Sequence, residues 1–234
     1  MIEQGEMIGM QAEYGQELSS KKSNKKWRRL TLFAICGAFF IWSFQQIIWQ
    51  NTIGFDEVIR NAVNALDVEL LVSFFQLFTM LGDKTGVIII MLLSIGLIWW
   101  IKRDYAAMGV IVGGVIIVNE LNKWLKDYTG RERPMTGPGA ESLSFPSGHA
   151  MVGLFFYGLL LYFALAYTEE SKKKLVIAIF GTMFIILLGI SRIFLNYHYP
   201  SDVFAGYAAG YICLILGLLV YEGIQNKVMK RKSM

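Results

Sequence analysis

The sequence predicts an all-α polytopic membrane protein, a bundle of six transmembrane helices with a short extracytoplasmic amphipathic helical segment. Three observations carry that prediction. Hydrophobic residues make up 55% of the 234 and charged residues only 17%, less charge than a soluble domain of this size carries. The apolar residues are gathered into charge-free runs at 30–55, 85–101, 150–167, 175–191 and 203–221, with a shorter run at 105–119 that continues toward Lys126. Lysine and arginine cluster between alternate runs, as they do when alternate loops lie on the same side of a bilayer.

The elements follow in chain order. Residues 1–26 are polar, acidic first and basic later, and are expected to be disordered. They are not expected to be a cleaved signal peptide, because the apolar run starts only at Leu30 and is long enough to remain as an anchor. A bilayer span takes about 20 apolar helical residues, and backbone groups cannot go unpaired in hydrocarbon, so each long run should be one continuous helix. The spans are placed at 30–50, 84–101, 105–125, 149–167, 174–192 and 202–222. Between the first two, Phe55, Val58, Ile59, Ala62, Val63 and Leu66 recur at helical spacing, with Asp56, Glu57, Arg60 and Asn61 among them. That pattern predicts an amphipathic helix on the membrane surface. Residues 70–82 are apolar but too short to span, and should lie at the interface or pack between helices. The domain reading is a disordered cytoplasmic tail (1–26), a six-helix membrane domain (27–225) and a basic cytoplasmic C-terminal tail (226–234).

Orientation follows from the basic clusters. Lys21, Lys22, Lys25, Lys26, Arg28 and Arg29 precede the first span, and Lys102 and Arg103 follow the second. Lys172, Lys173 and Lys174 follow the fourth, and Lys227, Lys230, Arg231 and Lys232 close the chain. With six spans all four clusters fall on one side, which is then the cytoplasm, with both termini there. The net charge of +4 reads as topology of a multi-pass plasma-membrane protein and not as nucleic-acid affinity, since no basic face interleaved with aromatics lies outside the membrane flanks. Cys36 and Cys213 lie in apolar runs and read as small packing residues, too few for a disulfide framework or a thiolate metal site. Gly109 with Gly113, and Gly206 with Gly210, have the small-xxx-small spacing of packed membrane helices.

On this topology the loops 126–148 and 193–201 face away from the cytoplasm, and the two histidines of the chain, His149 and His198, lie beside them. Lys126, Arg131, Arg133 and Arg192 are cations on the side where the orientation rule disfavours them, which points to an anionic partner. Snorkelling toward headgroups accounts for Arg131 and Lys123 as well as function does. Pro146-Ser147-Gly148 is a helix-start signal with Ser147 as N-cap. Free N–H groups there suit an anion, and Gly148 leaves the backbone open to close approach. Capping alone accounts for Ser147 but not for His149 at the mouth of a spanning helix. Tyr199-Pro200-Ser201-Asp202 is a second start, with Pro200 as first helical residue. A spacing of four brings Asp202 to His198, where a carboxylate fixes the imidazole tautomer and raises its nucleophilicity. Asn119, Lys123 and Lys126 are expected on one face turned into the bundle, with Glu120 paired to a neighbouring base.

Taken in order, Lys126 with Arg133-Pro134, then Pro146-Ser147-Gly148-His149, then Ser191-Arg192 with His198 and Asp202, resemble the three-part signature of the type-2 phosphatidic acid phosphatase superfamily. That superfamily includes bacterial membrane lipid phosphatases and the soluble vanadium haloperoxidases. The likeness covers roughly residues 54–222, and the ordered match is specific where any single motif is weak. The resemblance implies an integral membrane phosphatase in which His198 attacks phosphorus and forms a phosphohistidine, Asp202 orients it, and His149 protonates the leaving oxygen and then activates water. It implies that Lys126, Arg133, Arg192, Ser147 and Gly148 hold the phosphate oxygens. No metal and no other cofactor is implied. Bacterial members act on lipid phosphates and diphosphates. An outward-facing site fits undecaprenyl diphosphate, slightly preferred because its phosphate is released on that side, or phosphatidylglycerol phosphate. A broad-specificity phosphatidic acid phosphatase is the alternative. A non-catalytic lipid transporter would show broken helices or charges at mid-membrane, and these spans have intact, uncharged centres. The spans also argue against a haloperoxidase.

Overall fold

The computed structural model describes residues 2–51, 53–66, 68–134 and 142–232, and among them every regular element is helical. The helices are α1 (Ile2–Ile48), α2 (Gly54–Asn64), α3 (Glu69–Thr79), α4 (Lys84–Ile101), α5 (Tyr105–Thr129), α6 (Gly148–Tyr167), α7 (Ser171–Phe194) and α8 (Pro200–Lys232), with a 3-10 turn at Met80–Gly82. Six are long and apolar enough to cross a bilayer: Trp27–Ile48 of α1, then α4, α5, α6, α7 and Pro200–Arg231 of α8. These are the six expected spans, with α5, α7 and α8 running past the expected ends. The amphipathic segment forms α2. The short apolar run forms α3 and the 3-10 turn, which pack against α7 and α4 instead of crossing. One expectation changes: α1 runs back through residues 2–26, where composition predicts disorder. That segment has no proline and is rich in Glu, Gln, Met and Lys, so a helix nucleated in the span propagates through it.

Helix α6 is the centre of the bundle, packed against α5, α7 and α8. Its Met151, Phe155, Phe156, Leu159 and Phe163 are at most 2% exposed. Apolar side chains gain little by leaving lipid for a helix interface, so association there rests on van der Waals contact of roughly 0.1–0.2 kcal/mol per atom pair and needs close approach. Gly206 and Gly210 provide it between α8 and α6. A Cβ at Gly206 would lie 2.8 Å from the Ser147 carbonyl oxygen, and one at Gly210 2.6 Å from that of Met151. The second pair of the same spacing does not pack: Gly109 and Gly113 face open space. Helix α5 is buried instead along Ala107, Val110, Ile111, Val115, Val118, Asn122 and Leu125, a stripe rotated away from both glycines.

The two ends of the bundle differ in chemistry. At one end Asp104 caps α5 by accepting from the Ala107 N–H at 3.0 Å. Its carboxylate also accepts from Tyr167 and Tyr221 hydroxyls (3.0 and 2.7 Å) and from Gln225 (3.0 Å), which ties the ends of α5, α6 and α8 together. A helix as long as α5 puts the other end about 35 Å away. There α5 stops at Gly130, whose φ of 60° is the left-handed conformation glycine adopts without a Cβ clash, and whose N–H bonds the Lys126 carbonyl. The starts of α6 and α8 meet at this end, joined by the Ser147 N–H on the Asp202 carbonyl oxygen at 3.0 Å.

Candidate active site

All eight motif residues named from the sequence come to this one end of the bundle. The end of α5 supplies Lys126, and the extended chain after Gly130 supplies Arg131 and Arg133. The first turn of α6 supplies Gly148 and His149, with Ser147 at the N-cap position. The last turn of α7 supplies Arg192, and Pro200 opens α8 with Asp202 in its first turn. The inward face of α5 differs from expectation. Lys123 is exposed and pairs with Glu120 at 2.7 Å, and the buried polar residue is Asn122, which donates to the Pro146 carbonyl at 3.1 Å. The buried positions 115, 118, 122 and 125 keep helical spacing, which puts Asn122 under the α6 start and turns Lys123 outward.

His198 is 2% exposed and Asp202 fully buried. Their closest approach, Nδ1 to Oδ2, is 3.6 Å, an electrostatic contact longer than a hydrogen bond. The Ser144 hydroxyl bridges them, donating to Asp202 Oδ2 at 2.5 Å and lying 3.3 Å from His198 Nδ1. With its proton on Nδ1 the ring points a free Nε2 lone pair away from the carboxylate. Asp202 is fixed on both oxygens: Oδ2 also accepts from the Tyr199 N–H at 2.9 Å, and Oδ1 accepts from Arg131 at 2.5 Å. Arg131 reaches on to Asp56 of α2 at 2.9 Å and lies over the Tyr199 ring at 4.0 Å. Asp56, 3% exposed, also accepts from the Ser201 N–H and hydroxyl, both at 2.7 Å. A buried carboxylate needs such a full set of donors. Burial pushes the His198 imidazole down to about 3, so it is neutral at physiological pH.

His149 sits across the site. Its Nε2 lies 3.1 Å from the Thr79 carbonyl oxygen and 3.1 Å from Asp83 Oδ1. Thr79 also ties in Arg192, accepting from Nη1 at 2.8 Å. The Arg192 guanidinium lies over the Tyr197 ring at 4.4 Å, and the Tyr197 carbonyl accepts from Arg133 at 3.0 Å. Arg133 in turn is close enough to act electrostatically on Lys126, Arg192 and His198. Contacts thus run from His149 through Thr79, Arg192 and Tyr197 to Arg133, whose charge acts on His198.

Arg131 is paired with two carboxylates, whereas Lys126, Arg133 and Arg192 have no carboxylate partner among the described residues. Among the described residues their direct partners are uncharged: the Leu143 carbonyl for Lys126, Ser142 and the Tyr197 carbonyl for Arg133, and Thr79 for Arg192. Ser147 stands at the N-cap of α6, yet its hydroxyl makes no capping bond. Ser147 Oγ and Arg192 Nε are both buried without a hydrogen-bond partner among the described residues. Three cations without a carboxylate partner among the described residues, gathered near the N-terminus of α6, fit a tetrahedral anion. No group of three or more His, Cys, Asp or Glu side chains is arranged as a metal site among the described residues. Part of the loop between Arg133 and Ser147, residues 135–141, lies outside the described residues.

Sequence reasoning left Arg131 undecided between snorkelling and function, and missed Asp56, Thr79, Asp83 and Ser144. Asp56 belongs to the polar face of α2, and Asp83 only follows the apolar run 70–82. Ser144 lay unmarked among the serines of the loop, and Thr79 inside the run that fitted no span.

The comparisons with known proteins agree with the fold. The model of the PAP2 superfamily matches residues 104–226, from the cap of α5 into α8. Phosphatidylglycerophosphatase B of Bacillus subtilis (strain 168) is 30% identical over 179 residues, which span 75% of this chain and 85% of the relative. Lipid A 1-phosphatase of Rhizobium etli is 38% identical over 89 residues, 38% of this chain and 33% of the relative. Among solved structures, a transmembrane PAP2-type phosphatidylglycerolphosphate phosphatase from Bacillus subtilis superposes with a TM-score of 0.70 at 24% identity, covering 82% of this chain and 96% of that one. Aquifex aeolicus LpxE gives a TM-score of 0.53 at 22% identity, covering 68% and 92%. The likeness to both crystal structures is one of fold. With six membrane-length helices and a family match over more than half its length, the chain belongs to the PAP2 superfamily and is a membrane phosphatase acting on lipid phosphates.

Proposed function

We propose that the protein hydrolyses the terminal phosphate of a membrane lipid through a phosphohistidine on His198, at a site facing away from the cytoplasm. The observation that carries this reading is the buried, neutral His198 beside three cations that have no carboxylate partner among the described residues. Nε2 of His198 attacks phosphorus in line with the leaving lipid oxygen, and Asp202 with the Ser144 bridge stabilises the imidazolium charge that develops on Nδ1. His149 protonates the leaving oxygen. In the second step it takes a proton from the water that attacks the phosphohistidine, releasing inorganic phosphate and restoring His198. Lys126, Arg133 and Arg192, with the Ser147 hydroxyl and the Gly148 N–H, hold the equatorial oxygens as charge shifts onto them. Such a cluster supplies by guanidinium and ammonium groups the charge stabilisation that phosphoryl transfer needs, without a metal ion.

Phosphatidylglycerol phosphate is the substrate favoured by the name of the 30% identical relative, and this revises the slight preference for undecaprenyl diphosphate. Undecaprenyl diphosphate stays as the second reading, because the basic clusters favour an outward-facing site, the side on which its terminal phosphate is released. The test is phosphate release by the detergent-purified protein from phosphatidylglycerol phosphate, undecaprenyl diphosphate and phosphatidic acid, with EDTA present. Activity that survives EDTA, is blocked by vanadate and is highest on phosphatidylglycerol phosphate is expected. Activity that requires added metal, or none on any of the three, would overturn the reading.

A further inference from the structure

The turn between α3 and α4 reaches the site through residues that no motif marks. A Cβ built on Gly82 would lie 2.4 Å from Cδ2 of His149, so the imidazole edge rests directly on that backbone and only glycine leaves it room. Beside it, Asp83 occupies the N-cap position of α4, where an aspartate ordinarily accepts from the N–H groups of its own first turn. Here the side chain makes no capping bond. Its Oδ1 lies instead 3.1 Å from Nε2 of His149, on the side of the ring that also meets the Thr79 carbonyl. A carboxylate has been diverted from the helix start it could stabilise to an imidazole across the site.

We propose that Asp83 is a positioning residue for His149: with Gly82 and the Thr79 carbonyl it clamps the Nε2 edge of the ring and supplies the counter-charge for its protonated form. The proposal rests on the acid role given to His149 above. Both acceptors sit at Nε2, which leaves Nδ1 as the nitrogen that gives the proton to the leaving oxygen. Among the described residues the charged groups that face the ring are Asp83 from the start of α4 and Arg192 from α7, of opposite sign. The 3-10 turn offers only neutral groups, and Tyr157 of α6 is occupied in donating to the Leu81 carbonyl. Removing Asp83 therefore leaves His149 facing Arg192 alone, which disfavours a charged imidazole. The contact is mutual: the hydrogen bond from His149 holds the Asp83 carboxyl below its ordinary range, so it is ionised at neutral pH. The site then has two carboxylate–imidazole pairs, His198 with Asp202 and His149 with Asp83. The first is buried and the second half open, as the Asp83 side chain is 52% exposed.

The experiment is kcat and KM against pH for the full chain in detergent micelles with phosphatidylglycerol phosphate, for wild type and Asp83→Asn, Asp83→Glu, Lys84→Ala and His198→Ala. For Asp83→Asn, kcat is expected to fall about tenfold with little change in KM, and the alkaline limb of kcat to move down by about one pH unit. Asp83→Glu should keep the limb in place, with kcat within about fivefold of wild type. Lys84→Ala, which changes the neighbouring exposed charge, should leave the limb where it is. A folded Asp83→Asn protein with the wild-type profile, or a limb that moves equally in Lys84→Ala, overturns the proposal. Should Asp83→Asn not purify as folded protein, Asp83→Glu decides: a limb displaced by about half a unit or more overturns it. Inactive His198→Ala in the same preparations supports the underlying reading, so a flat Asp83 response then removes only the positioning role; full activity in His198→Ala overturns the reading itself.

Discussion

Arg131 is the residue on which the proposed nucleophile's surroundings turn. It bridges Asp56 and Asp202, carboxylates from α2 and α8 that are 5% and 0% exposed in their side chains. Removing one partner of a buried ion pair leaves an uncompensated charge, so Arg131→Met should cost about 3 kcal/mol or more in thermal or denaturant unfolding, along with most of the activity. Asp56→Asn, which keeps the shape and removes one charge, should cost less. The neutral burial of His198 makes a separate prediction about pH. Its folded value of about 3 lies below the ordinary value of about 6.5, so between those limits the unfolded chain binds a proton that the folded chain does not. The His198 contribution therefore destabilises the fold progressively as pH falls from about 6.5 toward 3, and His198→Gln should flatten that part of the stability curve. The motif residues were legible because their chemistry is compressed into short spacings: His198 and Asp202 four apart, Ser147 beside His149. Ser144, Thr79 and Asp56 were not. They reach His198, Arg192 and Ser201 across 54, 113 and 145 positions, and a hydrogen bond over such a separation leaves no periodic trace in the chain.

Among the elements, the spanning helices could be read from length and the absence of charge, since hydrocarbon permits little else. Which stripe of each helix packs could not. Two glycine pairs of identical spacing behave oppositely, Gly206 and Gly210 against the α6 backbone, Gly109 and Gly113 against nothing. Composition cannot separate them, because lipid and protein neighbours are equally apolar. The contrast is testable. Gly210→Leu should overpack the α6–α8 contact and cost about 1–3 kcal/mol or more, with lost activity. Gly109→Leu should stay within about 0.5 kcal/mol of wild type by the same unfolding assay. The short run 70–82 gave the least from sequence, and α3 with its 3-10 turn became the element that carries Thr79, Gly82 and Asp83 to the site. Too short to span, it lies where its backbone carbonyls and polar side chains can serve other groups.

At the scale of the whole molecule, charge separates the two ends of the bundle. The basic clusters lie at the end where Asp104 ties α5, α6 and α8 together, and the site lies at the other. The positive-inside rule then points the site outward, a prediction checked in a Cys36→Ala/Cys213→Ala background. A cysteine at the exposed Glu132 should react with a membrane-impermeant maleimide on intact cells, and one at the exposed Lys173 only after the membrane is opened. The reverse pattern would turn the bundle over. The central claim is that His198 carries the phosphoryl group between the two half-reactions. The most direct measurement is brief acid-free quenching of His149→Ala protein with lipid substrate labelled in its terminal phosphate, followed by peptide mapping. A slow variant with acid-labile, base-stable label on the peptide containing His198 is the predicted result. Label on another residue, or normal turnover by His198→Ala protein, would contradict it.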